Sequence, residues 1–575
     1  MIRFVLFFVL SVAACAEDFK ELLADEWQWT MEQSPTWASQ LGDRRWNDRW
    51  PDVSLARQAE QQEHRLALVA RLKAIERSSL PAEQRLNYDL FRYEAELAVE
   101  EYQMKMHLAA LTHRDGIHLA DEIASALRFE GRKDFEDWIA RLRSFPTYMD
   151  QTLEVLRAGA KAGRVWPKVV MKRVPPQIER QIVEDAEKSP FFAPFKTWPE
   201  SIPAAERAEL VAKAKAAIAE SVVPSYRKML AFFKDEHLPA CPDVVGASAL
   251  PDGDALYALA ARKFTTTRMT PEEIHALGLR EVERILKAMD AIIAQVGFKG
   301  TRAEFFEHLR SDPKFYYKTP GELLDGYRAV SKRVDPLLVK LFKTLPRMPY
   351  GVEPIPDKAA PHTTAAYYRQ PSGDGTRAGS FFVNLYRPQM RPKYEMMALT
   401  LHEAVPGHHL QIALAYEQQS LPEFRRFGGE AAYNAYIEGW ALYAESLGDE
   451  LGLYDDPYSK FGQLIYEIWR ACRLVVDTGL HVKKWTREQA IDYLLNNSAK
   501  TVLDVENEID RYIAWPGQAL GYKIGELKIK ELRALWSGKL GVKFDVREFH
   551  EVILQSGPVP LEVLERNVNE WAATR

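Results

Sequence analysis

The sequence predicts a mostly α, multi-helical protein with one small antiparallel β element, and three observations carry that expectation. Apolar residues recur at three- and four-residue spacing through most of the 575 residues. Helix-start signals such as Thr270-Pro271 recur along the chain. Only the region 350–393 departs from the helical period, with short aromatic and β-branched runs between Gly, Ser, Asp and Pro. Hydrophobic residues at 47% and charged residues at 27% are the balance of an ordinary globular chain. A net charge of −5 without a concentrated basic face argues against a nucleic-acid partner.

The elements follow in order. Residues 1–16, "MIRFVLFFVLSVAACA", have an early Arg3, an apolar run too short to span a bilayer, and small residues, which is the pattern of a signal peptide. Two processing sites fit: a lipoprotein box ending at Cys15, or an A-x-A site with cleavage after Ala16. Either places the mature protein outside the cytoplasm, as a periplasmic or outer-membrane-anchored lipoprotein or a secreted protein. Membrane attachment would come only through a lipid on Cys15. Residues 17–240 read as a helical N-terminal lobe. Within it, "FEDWIARLRSFPTYMDQTLEVLRAGAKAG" predicts two helices broken near Pro146, and the prolines of 189–203 predict a surface loop. Pro and Gly accumulate at 238–254, marking a boundary to a second helical lobe, 241–575, that carries the candidate site. The two lobes are expected to form one continuous domain around a cleft. "TAAYYRQ" and "GSFFVNLY" predict a two-stranded antiparallel sheet. Beyond it the chain reads as helix to its end, interrupted at "WPGQALGYKIG" (515–525). Cys241 and Cys472 could pair, but no spacing requires it, and the absence of CxxC excludes cysteine-rich zinc sites.

Chemistry concentrates at "HEAVPGHHLQ" (402–411). A helix ending in "MMALTLHEA" delivers His402 and Glu403. In the zinc-peptidase pattern H-E-x-x-H the second histidine follows at i+4, where both imidazoles reach one metal and the glutamate handles its water. Here Pro406 occupies that position. On a straight helix, i+6 turns through about 600° and i+7 rises about 10.5 Å. Neither lets two Zn–N bonds of about 2.0–2.1 Å meet. A break at Pro406-Gly407 that absorbs two residues would bring His408 round as second ligand and turn His409 toward substrate or a supporting contact. Which of these adjacent histidines takes the metal is the open point, and the reading takes His408. "YNAYIEGWALYAESLG" (433–448) is apolar on nearly every side, so Glu438 inside it needs a cation. Glu438 is the third candidate ligand, and Glu445, two turns on, is placed to support a histidine. His550-Glu551 has no following histidine and reads as surface. His275 reads as a structural helix residue, and Arg470, Arg473 and Asp477 read as a buried ion-pair network.

At these residues the chain resembles a bacterial family of unknown function, the domain of unknown function 885, whose members are often described as lipoproteins or zinc peptidases. The pieces that carry the resemblance are "TPEEIHALGLREV", "RAGSFFVNL", "HEAVPGHHLQ", "YIEGWALYAE", "RACRLVVDTGLH" and "DRYIAWPGQALGYKIG", over about residues 245–530. That family is similar in turn to gluzincin metallopeptidases, some of which tolerate an insertion before the second histidine. The resemblance implies a large multi-helical metallopeptidase-like fold with the small β element beside an active-site cleft. It implies one Zn²⁺ per chain on His402, His408 and Glu438, with Glu403 as general base. "SFFVNLY", with Asn384 as a substrate candidate, would be a sheet edge that pairs with an extended peptide. Tyr522, Tyr512, His481 and Arg511 are the candidates for stabilising the oxyanion, with Tyr522 and His481 placed as catalytic.

The leading expectation is therefore an exported zinc metallopeptidase acting on peptides or oligopeptides. The alternatives are a zinc amidase or esterase on a non-peptide substrate, and a non-catalytic peptide-binding lipoprotein. No GxSxG, P-loop or GxGxxG is present, so serine-hydrolase and nucleotide chemistries have no support. Cleavage specificity, exo or endo mode, and oligomeric state have no signature in the sequence.

Overall fold

The computed structural model describes residues 2–357 and 360–575. The side chains of residues 2–17, His362 and Glu430 lie outside the described set, and with them the signal segment and Cys15. The chain divides into two compact units, Met1–Val244 with Pro422–Phe424, and Val245–Leu421 with Arg425–Arg575. Both are dominated by helices, and among the described residues none is long and apolar enough to cross a membrane.

The first unit contains α1 (Ile2–Gln33), α2 (Leu55–Ala74), α3 (Ala82–Gln103), α4 (Arg132–Ala162) and α5 (Ala204–Ala217). Ser54 caps α2 by accepting the Arg57 N–H. α4 corrects the expected break: it runs unbroken through Pro146. A proline inside a helix costs about 3 kcal/mol. Around it, however, Leu142, Phe145, Met149 and Leu153 are all buried on one face, and that burial holds the helix together. α5 continues through a wide turn at Ile218–Val222 into Val223–Phe232, which absorbs the missing N–H of Pro224. The expected surface loop at 189–203 is also corrected. Pro190–Lys196 forms a 3₁₀ segment that buries Phe191, Phe192 and Phe195, with Phe191 against Trp138, Phe145 and Tyr226. Cys241, in this unit, and Cys472, in the other, are buried free thiols.

The second unit contains α6 (Gly253–Thr265), α7 (Pro271–Gln295), α8 (Pro320–Val334), α9 (Met396–Glu403), α10 (His408–Glu417), α11 (Asn434–Ser446), α12 (Pro457–His481), α13 (Val502–Ala514), α14 (Gly521–Leu540) and α15 (Val546–Gln555). The start of α7 is fixed by a reciprocal cap. Thr270 Oγ1 accepts the Glu273 N–H at 3.3 Å, and Glu273 accepts the Thr270 N–H at 2.8 Å. Between α8 and α9 lies a sheet of β1 (Tyr350–Pro354), β2 (Ala366–Arg369) and β3 (Gly379–Val383), in the order β1-β3-β2. β2 and β3 are the expected antiparallel pair, with Ala366 opposite Val383. β1 joins in parallel on the other side, Tyr350 opposite Gly379, so the sheet is mixed. "YGVEP" has neither alternation nor an apolar run, which is why it carries no strand signal in the sequence. β3 is consequently central and its ladder groups are spent on both sides. It cannot be the free edge that "SFFVNLY" was expected to offer.

The sheet lies under α9: Phe381 and Val383 share one apolar cluster with Met396, Ala398, Leu399, Ala404 and Tyr466. α11 and α14 cross in backbone contact. A Cβ on Gly439 would fall 2.5 Å from Gly525 Cα, and one on Gly525 only 1.8 Å from the Ala435 carbonyl. Two glycines therefore set this crossing, which brings Glu438 and Tyr522 into the same region.

Candidate metal centre

α9 is buried along its whole length and ends at Glu403, with the Ala404 N–H still bonded to the Thr400 carbonyl at 2.9 Å. The chain then turns through Val405-Pro406-Gly407, with a cis Val405–Pro406 peptide, and α10 begins at His408. The turn is tied at both ends. The His409 N–H donates to the Ala404 carbonyl at 3.0 Å, and Trp440 Nε1 donates to the Pro406 carbonyl at 2.8 Å. Gly407 makes the turn possible, because a Cβ there would sit 1.9 Å from the His402 carbonyl oxygen. The helix break that the motif demanded is thus present, and it carries His408 back beside His402.

Three donor atoms converge. His402 Nε2 lies 3.5 Å and His408 Nε2 3.4 Å from Glu438 Oε2 on α11, and all three lie within 4.8 Å of one another. Two atoms bound to one tetrahedral zinc at 2.0–2.1 Å are about 3.3–3.4 Å apart. Glu438 Oε2 is buried, and no hydrogen bond within the described residues satisfies it. An oxygen facing two imidazole nitrogens at this spacing is suited to a shared cation. His402 Nδ1 is 2.9 Å from Glu445 Oε1, and Glu445 is fully buried with Arg470 3.6 Å away. A carboxylate at Nδ1 places the ring proton there and leaves Nε2 as the free lone pair. Burial alone would favour a neutral His402, but Glu438 and Glu445 outweigh it and push its pKa up to about 9, so a metal at Nε2 would displace a proton there. Burial also opposes charge on Glu438, yet His408 and His402 hold its carboxyl well below the usual range.

Glu403 follows His402 directly and is 9% exposed. Among the described residues no hydrogen bond or ion pair reaches its carboxylate. The Tyr522 ring lies nearly parallel to His402, with centroids 6.4 Å apart. Its hydroxyl accepts from Arg511 at 3.1 Å, and the Arg473 guanidinium lies 4.3 Å over its ring.

Other expected site residues are placed differently. His409 is 2% exposed and both its nitrogens are taken, by the Tyr368 hydroxyl at 2.9 Å and the Met348 carbonyl at 3.0 Å. It ties α10 to β2 and to the segment before β1, which leaves neither ring nitrogen free. His481 is fully buried, with Nδ1 accepting the Ala247 N–H at 2.9 Å and Nε2 on the Tyr512 carbonyl at 3.0 Å. Burial pulls its pKa down to about 4 against that carbonyl, so it is a neutral backbone clamp and not a catalytic group. The Tyr512 hydroxyl accepts from Trp469 Nε1 at 3.0 Å and Arg473 Nε at 2.7 Å, which fixes it within the core. Asn384 donates to the Ala360 and Thr364 carbonyls and accepts the Tyr386 N–H, so its amide shapes a turn and both its N–H donors are spent. Arg511 serves by holding the Tyr522 hydroxyl. His550, expected at the surface, is fully buried between the Tyr443 hydroxyl (2.8 Å) and the Leu341 carbonyl (2.9 Å). His275 bonds Thr478 Oγ1 at 2.8 Å. Arg470, Arg473 and Asp477 are buried but pair outward, with Glu445, with Glu508 and Tyr512, and with Tyr257 and the Gly517 N–H respectively.

Trp440, Tyr368 and Met348 are parts of the centre that the sequence did not reveal. The first sits within a quoted motif, but its bond to Pro406 depends on a helix crossing. Tyr368 sits in the predicted strand "TAAYYRQ" and Met348 lies upstream, and neither one's contact with His409 shows in the sequence.

The family described as bacterial protein of unknown function (DUF885) matches residues 35–568. A protein from Colwellia psychrerythraea described as a lipoprotein is 31% identical, with a TM-score of 0.92 over 98% of this chain and 100% of that one. A second, from Shewanella oneidensis and described as a lipoprotein of unknown function, is 18% identical. Its TM-score is 0.71 over 95% of this chain and 98% of that one, a likeness of fold. No curated protein matches in sequence.

Proposed function

We propose, for a chain that belongs to the bacterial DUF885 family, that it is an exported zinc-dependent hydrolase, most simply a metallopeptidase. The observation that carries the reading is the triad of His402 Nε2, His408 Nε2 and Glu438 Oε2, spaced at 3.4–3.5 Å about an unsatisfied carboxylate oxygen. Export rests on the signal-like N-terminus and on the description of the relatives as lipoproteins.

Zinc held by these three side chains would supply Lewis acidity to a water and a carbonyl. The Glu403 carboxylate, adjacent to His402 and unspent, takes the proton from the attacking water and returns it to the leaving amine. Glu445 keeps the His402 proton on Nδ1 and orients the ring. Tyr522 stabilises the developing oxyanion: Arg511 donates to its oxygen, so the phenol hydrogen stays available to donate. Of the four oxyanion candidates, it alone packs against a ligand histidine.

Metal analysis of the mature protein tests the centre. One zinc per chain is expected, with loss in the His402→Ala, Glu438→Ala double variant. No zinc in wild type, or full retention in that variant, sinks the proposal. Glu403→Gln tests the chemistry on a peptide library, and zinc should remain while hydrolysis falls by about 10²–10⁴-fold.

A further inference from the structure

The first unit holds a cavity of about 340 Å³, open at its mouth, which the metal centre does not use. Its walls include Gln58, Gln61 and Arg65 of α2, together with Tyr102, His107 and Tyr148. Gln58, Gln61 and Arg65 fall at i, i+3 and i+7, one face of the helix. Side chains on a helix lean toward its N-terminus, so Arg65 leans back over the two glutamines.

The polar groups of this cavity are not matched to one another. Among the described residues no hydrogen bond uses the half-buried Arg65 guanidinium, and no carboxylate stands within ion-pair distance of it. Burial lowers its pKa, and Tyr102 and Glu101 offset that only in part. Gln58 Nε2 donates to the Val53 carbonyl at 2.6 Å, but its Oε1 is buried without a donor, and His107 Nδ1 is buried without a partner. His107 stacks on Tyr102, with ring centroids 4.1 Å apart and planes at 6°, giving the cavity a flat wall. An unpaired cation, an unpaired acceptor and a stacked wall around one void each cost free energy that a ligand would recover.

We infer that this cavity binds a small organic carboxylate bearing a neighbouring N–H or O–H donor. Arg65 would grip the carboxylate through its planar fork. Gln58 Oε1 would accept from the ligand's donor, and the Tyr102–His107 stack would cover its apolar part. The site is independent of the zinc proposal and is tested without reference to hydrolysis.

Titration calorimetry on the full mature chain, with and without EDTA, would use N-acetyl-L-alanine, its neutral amide and inorganic phosphate. Saturable 1:1 binding of the carboxylate alone is expected, persisting in EDTA and weakened about tenfold or more by Arg65→Met. An Arg65 that is unpaired without ligand makes a second demand: Arg65→Met should melt no lower than wild type when ligand is absent. No saturation at tens of millimolar, equal binding of the amide, or preference for phosphate would overturn the assignment. So would loss of binding in EDTA, unchanged binding in Arg65→Met, or a lower melting temperature for that variant without ligand.

Discussion

Gly407 shows how little room the centre leaves. Its absent Cβ is what allows the turn to pass the His402 carbonyl, where a methyl group would fall 1.9 Å away. Gly407→Ala is expected to cost about 3 kcal/mol or more and to release zinc with it, because the backbone must move both histidines. Urea unfolding together with metal content reads both effects, and a stable zinc-replete variant would contradict the account. Asp477 makes a different residue-scale case. Burial pushes its pKa up to about 7, against the Tyr257 hydroxyl, the Gly517 N–H and Arg473, which favour the carboxylate. An acid whose pKa is raised on folding binds its proton more tightly when folded. It therefore removes stability as pH rises from about 4 to 7, by roughly 4 kcal/mol in all. Asp477→Asn keeps an oxygen for Tyr257 and Gly517 and carries no charge. It should flatten the fall in melting temperature over that window and gain most at pH 8, and an unchanged pH profile would count against a buried, proton-holding Asp477.

At the scale of elements, the centre is an arrangement of helix ends and crossings. α9 stops at Glu403, α10 starts at His408, and α11 crosses α14 at Gly439 and Gly525. Gly525→Ala would thrust a Cβ to 1.8 Å from the Ala435 carbonyl. Separating the two helices should cost about 1–3 kcal/mol and shift Tyr522 away from His402. A lower kcat in protein that still binds zinc would show that the crossing positions the phenol, whereas unchanged kinetics would remove Tyr522 from the mechanism. Elements were legible in the sequence where their signal is local. Thr270-Pro271 marks the start of α7, and the Pro406-Gly407 break follows from the impossibility of the straight-helix spacing. Elements that depend on partners were not. β1 becomes a strand only because β3 offers it a ladder, and α4 passes Pro146 only because its neighbours bury that face.

On the scale of the whole molecule, the proposed metal joins three separate helices, so it should stabilise the second unit as any ligand of the native state does. With free zinc at a hundred times Kd, that contribution is about 2.7 kcal/mol. Calorimetry should show a lower melting temperature after EDTA and its recovery on adding zinc. Superposable scans would mean that no such ion bridges α9, α10 and α11. By itself the sequence determined the mostly helical class and the antiparallel β2–β3 pair, and it put forward His402, Glu403 and Glu438 as site candidates, because periodicity, turn chemistry and motif spacing are short-range properties. It left His408 and His409 unseparated as ligands, and it put His481 and Asn384 forward as active groups. Only the tertiary structure shows which partners each of these side chains has. β2 and the segment before β1 supply Tyr368 and Met348 to hold His409, and backbone groups from distant segments take up His481 and the N–H donors of Asn384. What a polar side chain is free to do depends on which partners folding brings to it, and those partners lie tens to hundreds of residues away.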